Sequence, residues 1–249
     1  MTARTQERPV VLVTGAARRI GAVIAQTLHA AGHDLALHCR NSRDDLDQLI
    51  ANLERERPDS TLALQADLSD LTQIPSLIEA TTQRFGRLDG LVNNASDFFA
   101  TAFGEVASEQ WDRLFASNAR APFFLAQAAA PHLKESCGAI VNLLDIYAER
   151  PLAGYSVYCM AKAAQAAMTH ALALDLGPEV RVNGVAPGAV MWPETDSDAV
   201  HQARIVERTP LKRTGRPEEI ADSVLWLLRD ARFVTGQIIR VDGGRTLAG

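Results

Sequence analysis

Tyr158 and Lys162, in the stretch Tyr158-Cys159-Met160-Ala161-Lys162, stand four residues apart, which places a phenol and an ammonium on one face of a helix. A free tyrosine titrates near about pH 10, too high for ready proton exchange at neutrality. A cation beside it stabilises tyrosinate and is expected to lower that value, so the pair could serve as a general acid or base. Tyrosine and lysine often meet at this spacing by chance. The pair acquires meaning only from what surrounds it.

A second cluster lies at the other end of the chain. The apolar run Val10-Val11-Leu12-Val13 leads into Thr14-Gly15-Ala16-Ala17-Arg18-Arg19-Ile20-Gly21. Small residues between a strand and a helix let the backbone approach a pyrophosphate, and the helix start offers free N–H groups and a positive dipole end. Thr14, Gly15, Arg18, Arg19 and Ile20 are therefore candidate cofactor contacts; a tight turn without ligand is the alternative.

The second apolar run ends His38-Cys39-Arg40-Asn41-Ser42, with no acid before Asp44. An NAD site usually carries Asp or Glu there for the ribose hydroxyls. A carboxylate would repel a 2′-phosphate, whereas Arg40 can pair with one and Ser42 can donate to it, with Asn41 between them and Arg18 within reach. NADPH is the expected cofactor; otherwise Arg40 is a solvated surface arginine. Asp67 and Leu68 are placed to receive the adenine amino group and close over its ring, although Asp67 could equally cap the following helix. Asn93-Asn94-Ala95-Ser96 supplies compact polar residues for the cofactor ribose.

These segments need a scaffold. Apolar runs recur at 10–13, 35–38, 62–65, 88–93, 139–144, 180–185 and 237–241, mostly separated by helix-length stretches. In the first such stretch Ile20, Val23, Ile24, Leu28 and Ala31 share a face, and Gly32 ends it. Strands without alternation are buried on both faces. The expected fold is α/β: one Rossmann-like, doubly wound parallel sheet of about seven strands with helices on both faces. Ligands of such sheets sit at the carboxyl ends of the strands, where every motif above falls.

At 249 residues, 47% hydrophobic and 22% charged, the chain reads as one catalytic domain over 10–249, preceded by a flexible segment at 1–9. The polar start has no signal-peptide core, and no apolar run is long enough to span a bilayer, so a cytoplasmic location is expected. A net charge of −5 argues against nucleic acid or an anionic membrane as partner. Cys39, Cys137 and Cys159 are scattered and suit reduced thiols. His29 and His33 have the spacing of a metal pair but lack a suitable glutamate, so a core or surface role is expected and no metal site.

Taken together, these residues resemble the short-chain dehydrogenase/reductase family across Val10 to Gly244. The resemblance includes Asn93-Asn94-Ala95, Asn118 in Ser117-Asn118-Ala119-Arg120-Ala121-Pro122, Pro187-Gly188, Val234-Thr235-Gly236-Gln237 and Val241-Asp242-Gly243-Gly244. It implies that Asn118 holds a water linking Lys162 to solvent, that Tyr158 and Lys162 also contact the cofactor, and that Lys162 binds the nicotinamide ribose. It further implies a homotetramer packed through long helices at 108–134 and 155–177.

Two departures narrow the resemblance. Arg19 replaces the middle glycine of the amino-terminal motif, and Asp145 replaces the serine expected thirteen residues before Tyr158. A serine there donates to a carbonyl oxygen as it gains charge; a carboxylate would repel that oxyanion. Reduction of a ring C=N bond instead needs hydride at carbon and a proton at nitrogen, and an aspartate bonded to the tyrosine could help refill its proton. Arg19 and Asp145 together resemble the pteridine reductase branch, including dihydromonapterin and dihydrofolate reductases of this fold.

That likeness implies a small pterin or folate as substrate, lying against Phe98 and contacted by Arg19, Ser96, Asp145 and Tyr158. It also implies cofactor contacts from Ser96, Pro187 and Gly188. A segment at 189–213, with Met191, Trp192 and Pro193, is expected to form a substrate lid. The competing readings are a 3-oxoacyl-thioester or other carbonyl reductase, and a non-catalytic NADPH-binding sensor.

Overall fold

The structure, a computed structural model, describes residues 8–192 and 198–248. Seven strands, β1 (Val10–Val13), β2 (Asp34–Cys39), β3 (Thr61–Gln65), β4 (Gly90–Asn93), β5 (Ala139–Leu143), β6 (Arg181–Pro187) and β7 (Ile238–Val241), form one sheet. Their spatial order is β3-β2-β1-β4-β5-β6-β7, and every neighbouring pair is parallel. The chain order reverses at β1, whose two neighbours are β2 and β4. The crevice above that reversal is where a parallel sheet of this kind holds a ligand.

The helices are α1 (Arg19–Ala30), α2 (Arg43–Glu56), α3 (Ile74–Phe85), α4 (Ser108–Phe115), α5 (Ala121–Ser136), α6 (Ser156–Asp175), α7 (Ala199–Arg208) and α8 (Pro217–Arg229). Successive strand residues face opposite sides of a sheet. Val11, Val13, Leu35, Leu37 and Val141 accordingly pack with Ile24 and Leu28 of α1, Leu46 of α2 and Val224 of α8. Leu12, Ala36 and Ile140 pack on the other side with Leu77 of α3, Leu125 and Leu133 of α5 and Leu172 of α6. Both faces are covered, which accounts for strands that are apolar without alternation.

Several boundaries differ from expectation for local reasons. The run at 88–93 becomes a strand only from Gly90, because the Asp89 carboxylate receives the Val10 N–H at 2.8 Å and the Arg87 guanidinium. The helix expected at 108–134 is two helices joined by a π turn at Ala116–Arg120, and it extends to Ser136, where Cys137 takes a left-handed cap (φ 51°). The helix expected at 155–177 spans Ser156–Asp175. Helix α1 ends at Ala30, and Gly32 turns the chain at φ 95°.

His29 and His33 are core residues: His29 shares a hydrogen bond with the Ser60 hydroxyl at 2.8 Å, and His33 with the Leu28 carbonyl at 3.1 Å. Among the described residues no helix is long and apolar enough to cross a membrane. Residues 1–7 of the expected amino-terminal segment and residues 193–197 of the expected lid, Pro193 included, lie outside the described residues.

Candidate active site

The dinucleotide loop is held from behind. The Thr14 hydroxyl accepts the backbone N–H groups of Asn94 and Ala95 at 3.0 and 3.1 Å. The Asn94 side chain donates back to the carbonyls of Thr14 and Gly15, both at 2.9 Å. Thr14 and Asn94, expected to touch the cofactor, thus have their side chains spent on joining the loops after β1 and β4. Gly15 sits at φ 62°. A Cβ on Gly21 would meet the Gly15 carbonyl oxygen at 2.1 Å, so only glycine allows α1 to start this close to the loop.

Arg18 and Arg19 precede and open α1, which has no side-chain cap and no acidic residue in its first turn. Its first-turn N–H groups are therefore open to an anion, and its dipole favours one. Ile20, in the first turn of α1, packs its side chain against the core. Arg18 lies 3.5 Å from Asp45. Arg19, where the related pattern has glycine, keeps the glycine-like conformation at φ 55°. Its guanidinium donates to the carbonyls of Met191 and Trp192 at 3.3 and 3.0 Å, tying the loop to the segment after β6.

At the adenosine end Arg40 is well exposed and lies 3.7 Å from the Asp97 carboxylate, which is also bonded by Arg113 at 2.8 Å. Ser42 flanks α2 without a side-chain cap bond, and Asn41 is exposed. Asp67 receives the Ser69 N–H at 2.9 Å; the cap of the next helical turn is Asp70, not Asp67. Those hydrogen bonds hold the Asp67 carboxyl below its usual range. Leu68 is largely buried, in the cluster that includes Ile74 and Leu77 of α3. Pro187 ends β6, and a Cβ on Gly188 would collide with Asp242.

The reacting centre gathers at the ends of β4 and β5 and the start of α6. Tyr158 donates its O–H to Asp145 Oδ2 at 2.8 Å, and Asp145 Oδ1 receives the Tyr147 N–H at 2.9 Å. Lys162, almost fully buried, donates to the Leu143 carbonyl at 2.7 Å and to Gln165 Oε1 at 3.1 Å. Asn118 sits in the π turn, a distortion that often marks functional sites. Its amide accepts from the Ser96 hydroxyl at 2.6 Å and donates to the carbonyls of Asp97 and Leu114, each at 3.0 Å. Phe98 stacks on Tyr155 with centroids 4.7 Å apart and meets Tyr158 edge-on at 4.8 Å, yet stays 39% exposed.

The electrostatics overturn one expectation. Tyr158 is pushed well above the usual phenol value, first by burial and then by the charge and hydrogen bond of the Asp145 carboxylate. Burial likewise raises the Asp145 carboxyl, against the opposing hydrogen bonds of Tyr147 and Tyr158 and the charges of Lys162 and Arg245. Burial lowers the Lys162 ammonium to about 8. The resting centre therefore holds a neutral phenol that donates to a carboxyl able to keep a proton at unusually high pH.

Several contributors carry no motif of their own. Tyr155 backs Phe98, and the bridge between Thr101 and Tyr155 ties the loop after β4 to the start of α6. Arg245 donates to the Tyr147 hydroxyl at 3.3 Å and adds positive charge near Asp145. His38 lies beneath the dinucleotide loop. Such partners become adjacent only when distant parts of the chain are brought together, and no spacing in the sequence announces them.

A parallel sheet with an uncapped glycine-rich turn at its strand reversal and a buried Tyr/Lys pair on the adjoining helix defines a nicotinamide-dependent oxidoreductase architecture. The chain belongs to the short-chain dehydrogenase/reductase family. Residues 15–246 match the family described as Enoyl-(Acyl carrier protein) reductase. The chain is 37% identical to pteridine reductase 1 of Leishmania tarentolae, over 96% of each chain. It is also 37% identical to the granaticin polyketide synthase putative ketoacyl reductase 2 of Streptomyces violaceoruber, over 99% of this chain and all of that one. A 3-oxoacyl-[acyl-carrier-protein] reductase of Staphylococcus aureus is 32% identical over 94% of this chain and 96% of its own. The family is one of NAD(P)H-dependent oxidoreductases.

Proposed function

We propose that this chain is an NADPH-dependent reductase of pterins that takes a dihydropterin or dihydrofolate to its tetrahydro form. The observation that carries the reading is the 2.8 Å hydrogen bond from Tyr158 to Asp145. A ketone reductase needs at the Asp145 position a donor aimed at the growing oxyanion; Asp145 repels that charge when ionised and, when protonated, spends its one O–H on the tyrosine oxygen. A C=N bond develops charge on nitrogen and needs a proton instead, which this pair can deliver.

The cleft suits NADPH. The open α1 terminus and the close approach at Gly15 and Gly21 make room for its pyrophosphate, and Arg40, Ser42 and Arg18 stand where its 2′-phosphate would be recognised. When bound, NADPH supplies the hydride. Tyr158 gives its proton to the ring nitrogen and regains one from Asp145, whose raised pKa keeps it protonated more often than an ordinary carboxyl. With Asp145 protonated, its O–H can donate to the tyrosine oxygen and leave the phenolic hydrogen free for substrate. Lys162 holds positive charge beside this relay, and Asn118 braces Ser96 and Asp97 below the substrate.

Phe98, rigid against Tyr155, offers an apolar face for the planar pterin, and Ser96 and Arg19 frame its polar edge. The relative from Leishmania tarentolae, named a pteridine reductase, supports the same reading. The segment 189–213 is the proposed lid, pinned at Met191 and Trp192 by Arg19. Residues 10–249 act as one domain. The proposed assembly is a homotetramer, supported by apolar side chains left exposed on α4, α5 and α6 (Trp111, Phe123, Met160, Leu174).

The test offers purified protein and NADPH to dihydrobiopterin, dihydromonapterin, dihydrofolate and an acetoacetyl thioester in parallel. Turnover of at least one pterin, well above the thioester, is expected. Turnover of the thioester alone would assign the chain to the ketoacyl reductases it equally resembles, and cofactor binding without any turnover would mark a sensor.

A further inference from the structure

His38 is almost fully buried at the end of β2 and is hydrogen-bonded to the turn after β1 and to the end of β3. Its backbone carbonyl receives the Ala16 N–H at 2.8 Å, and its ring Nδ1 receives the Gly15 N–H at 3.3 Å. Because Nδ1 accepts, the ring proton resides on Nε2, which donates to the Ala66 carbonyl at 3.1 Å. One residue thus takes the two N–H groups that open the dinucleotide loop and ties them to the residue preceding Asp67.

The consequence is directional. With the Gly15 N–H on the His38 ring, the Thr14–Gly15 peptide turns its carbonyl to the Asn94 amide; with the Ala16 N–H on the His38 carbonyl, the Gly15–Ala16 peptide turns its carbonyl to the same amide, and Gly21 of α1 packs against that second oxygen. The N–H groups that follow, at the start of α1, are left facing the cleft. We infer that His38 is a positioning residue for the dinucleotide: its neutral Nε2–H tautomer sets the Thr14–Gly15 peptide and links the phosphate-binding turn to the adenine end of the site. The inference rests on the dinucleotide reading of this loop and is independent of the pterin.

Protonation would place an N–H at Nδ1 against the Gly15 N–H and remove the acceptor. Burial holds the His38 imidazole below its usual pKa; Asp67, after β3, favours the charged form, and Arg40, on its own strand end, opposes it. The loop should therefore bind well at neutral pH and weaken on the acid side.

Calorimetric titration of the full chain with NADPH, without any pterin, reads the effect directly. His38→Leu is expected to raise the Kd about tenfold, since acceptor and tether are both lost. His38→Asn, whose Oδ1 can accept from Gly15 but cannot titrate, should bind within about threefold of wild type and lose the acid-side weakening. An unchanged Kd in His38→Leu, or an acid-side rise persisting in His38→Asn, would overturn the assignment. If His38→Leu does not fold, the pH profile of His38→Asn decides alone. Wild-type protein binding neither NADPH nor NADH would overturn this and the dinucleotide reading together, whereas failure of pterin turnover touches neither.

Discussion

The Tyr158 hydroxyl donates to Asp145 Oδ2 at 2.8 Å in a site where burial raises the pKa of both groups. A phenol whose hydrogen is committed to a carboxylate cannot also give it to substrate, so the productive form has Asp145 protonated. A group active in its protonated form contributes fully below its pKa and is lost above it. The kcat/KM for dihydropterin should therefore fall as pH rises through the raised Asp145 pKa. Asp145→Asn, which has no proton to lose, should flatten that limb and cost about 100-fold in rate. A wild-type rate that climbs with pH over the same range would contradict the relay.

Lys162 gives a stability test. Its pKa in the folded protein is about 8, below the ordinary lysine value of 10.5. Between those values the unfolded chain binds the extra proton, so stability rises with pH across this window. Urea unfolding of wild type and Lys162→Met should diverge in favour of wild type by about 3 kcal/mol as pH is raised through it, at roughly 1.4 kcal/mol per unit. Parallel curves would mean that the ammonium is not desolvated as the structure has it.

Arg40 and Asp97 bear on cofactor choice. Their carboxylate–guanidinium approach at 3.7 Å is loose, and Arg113 already satisfies Asp97, so Arg40 can leave for a 2′-phosphate at small cost. Arg40→Asp should lower the NADPH:NADH ratio of kcat/KM by at least about tenfold, through loss of a charge-assisted bond and gain of repulsion. An unaltered ratio would place the 2′-phosphate contact elsewhere.

Phe98 and Tyr155 bear on the substrate. Their near-parallel stack, 12° between planes, fixes the ring that the pterin is proposed to meet. Loss of an aromatic contact is worth up to about 1.5 kcal/mol beyond area, so Phe98→Leu should raise the dihydropterin KM about tenfold and spare the NADPH KM. Tyr155→Phe retains the stack and should behave like wild type. Equal rises in both KM values for Phe98→Leu would indicate a general packing role.

The sheet was largely legible because buried parallel strands announce themselves as continuous apolar runs between turns, and the carboxyl ends then located Gly15, Tyr158 and Lys162 together. Boundaries at Gly90 and Ser136 were not, since they depend on the hydrogen bonds of Asp89 and on the left-handed turn at Cys137. The contact of Asp145 with Tyr158 was readable from its place thirteen residues before the tyrosine in the family pattern. The direction of the Tyr158 shift was not: spacing puts a lysine near the phenol, but only three dimensions show the ammonium aimed at Leu143 and Gln165 while the carboxylate faces the hydroxyl. For the same reason the bracing of the loops by the Thr14 and Asn94 side chains was not legible, nor was the contact of His38 with Gly15.

Asp145 is the residue on which the substrate class turns, and Asp145→Ser tests it most directly. The ratio of dihydropterin to acetoacetyl-thioester kcat/KM, measured for wild type and Asp145→Ser with the NADPH Kd checked in both, should fall by at least about 100-fold in the variant while cofactor affinity holds. A ratio unchanged by the substitution would remove Asp145 from the chemistry and the pterin assignment with it.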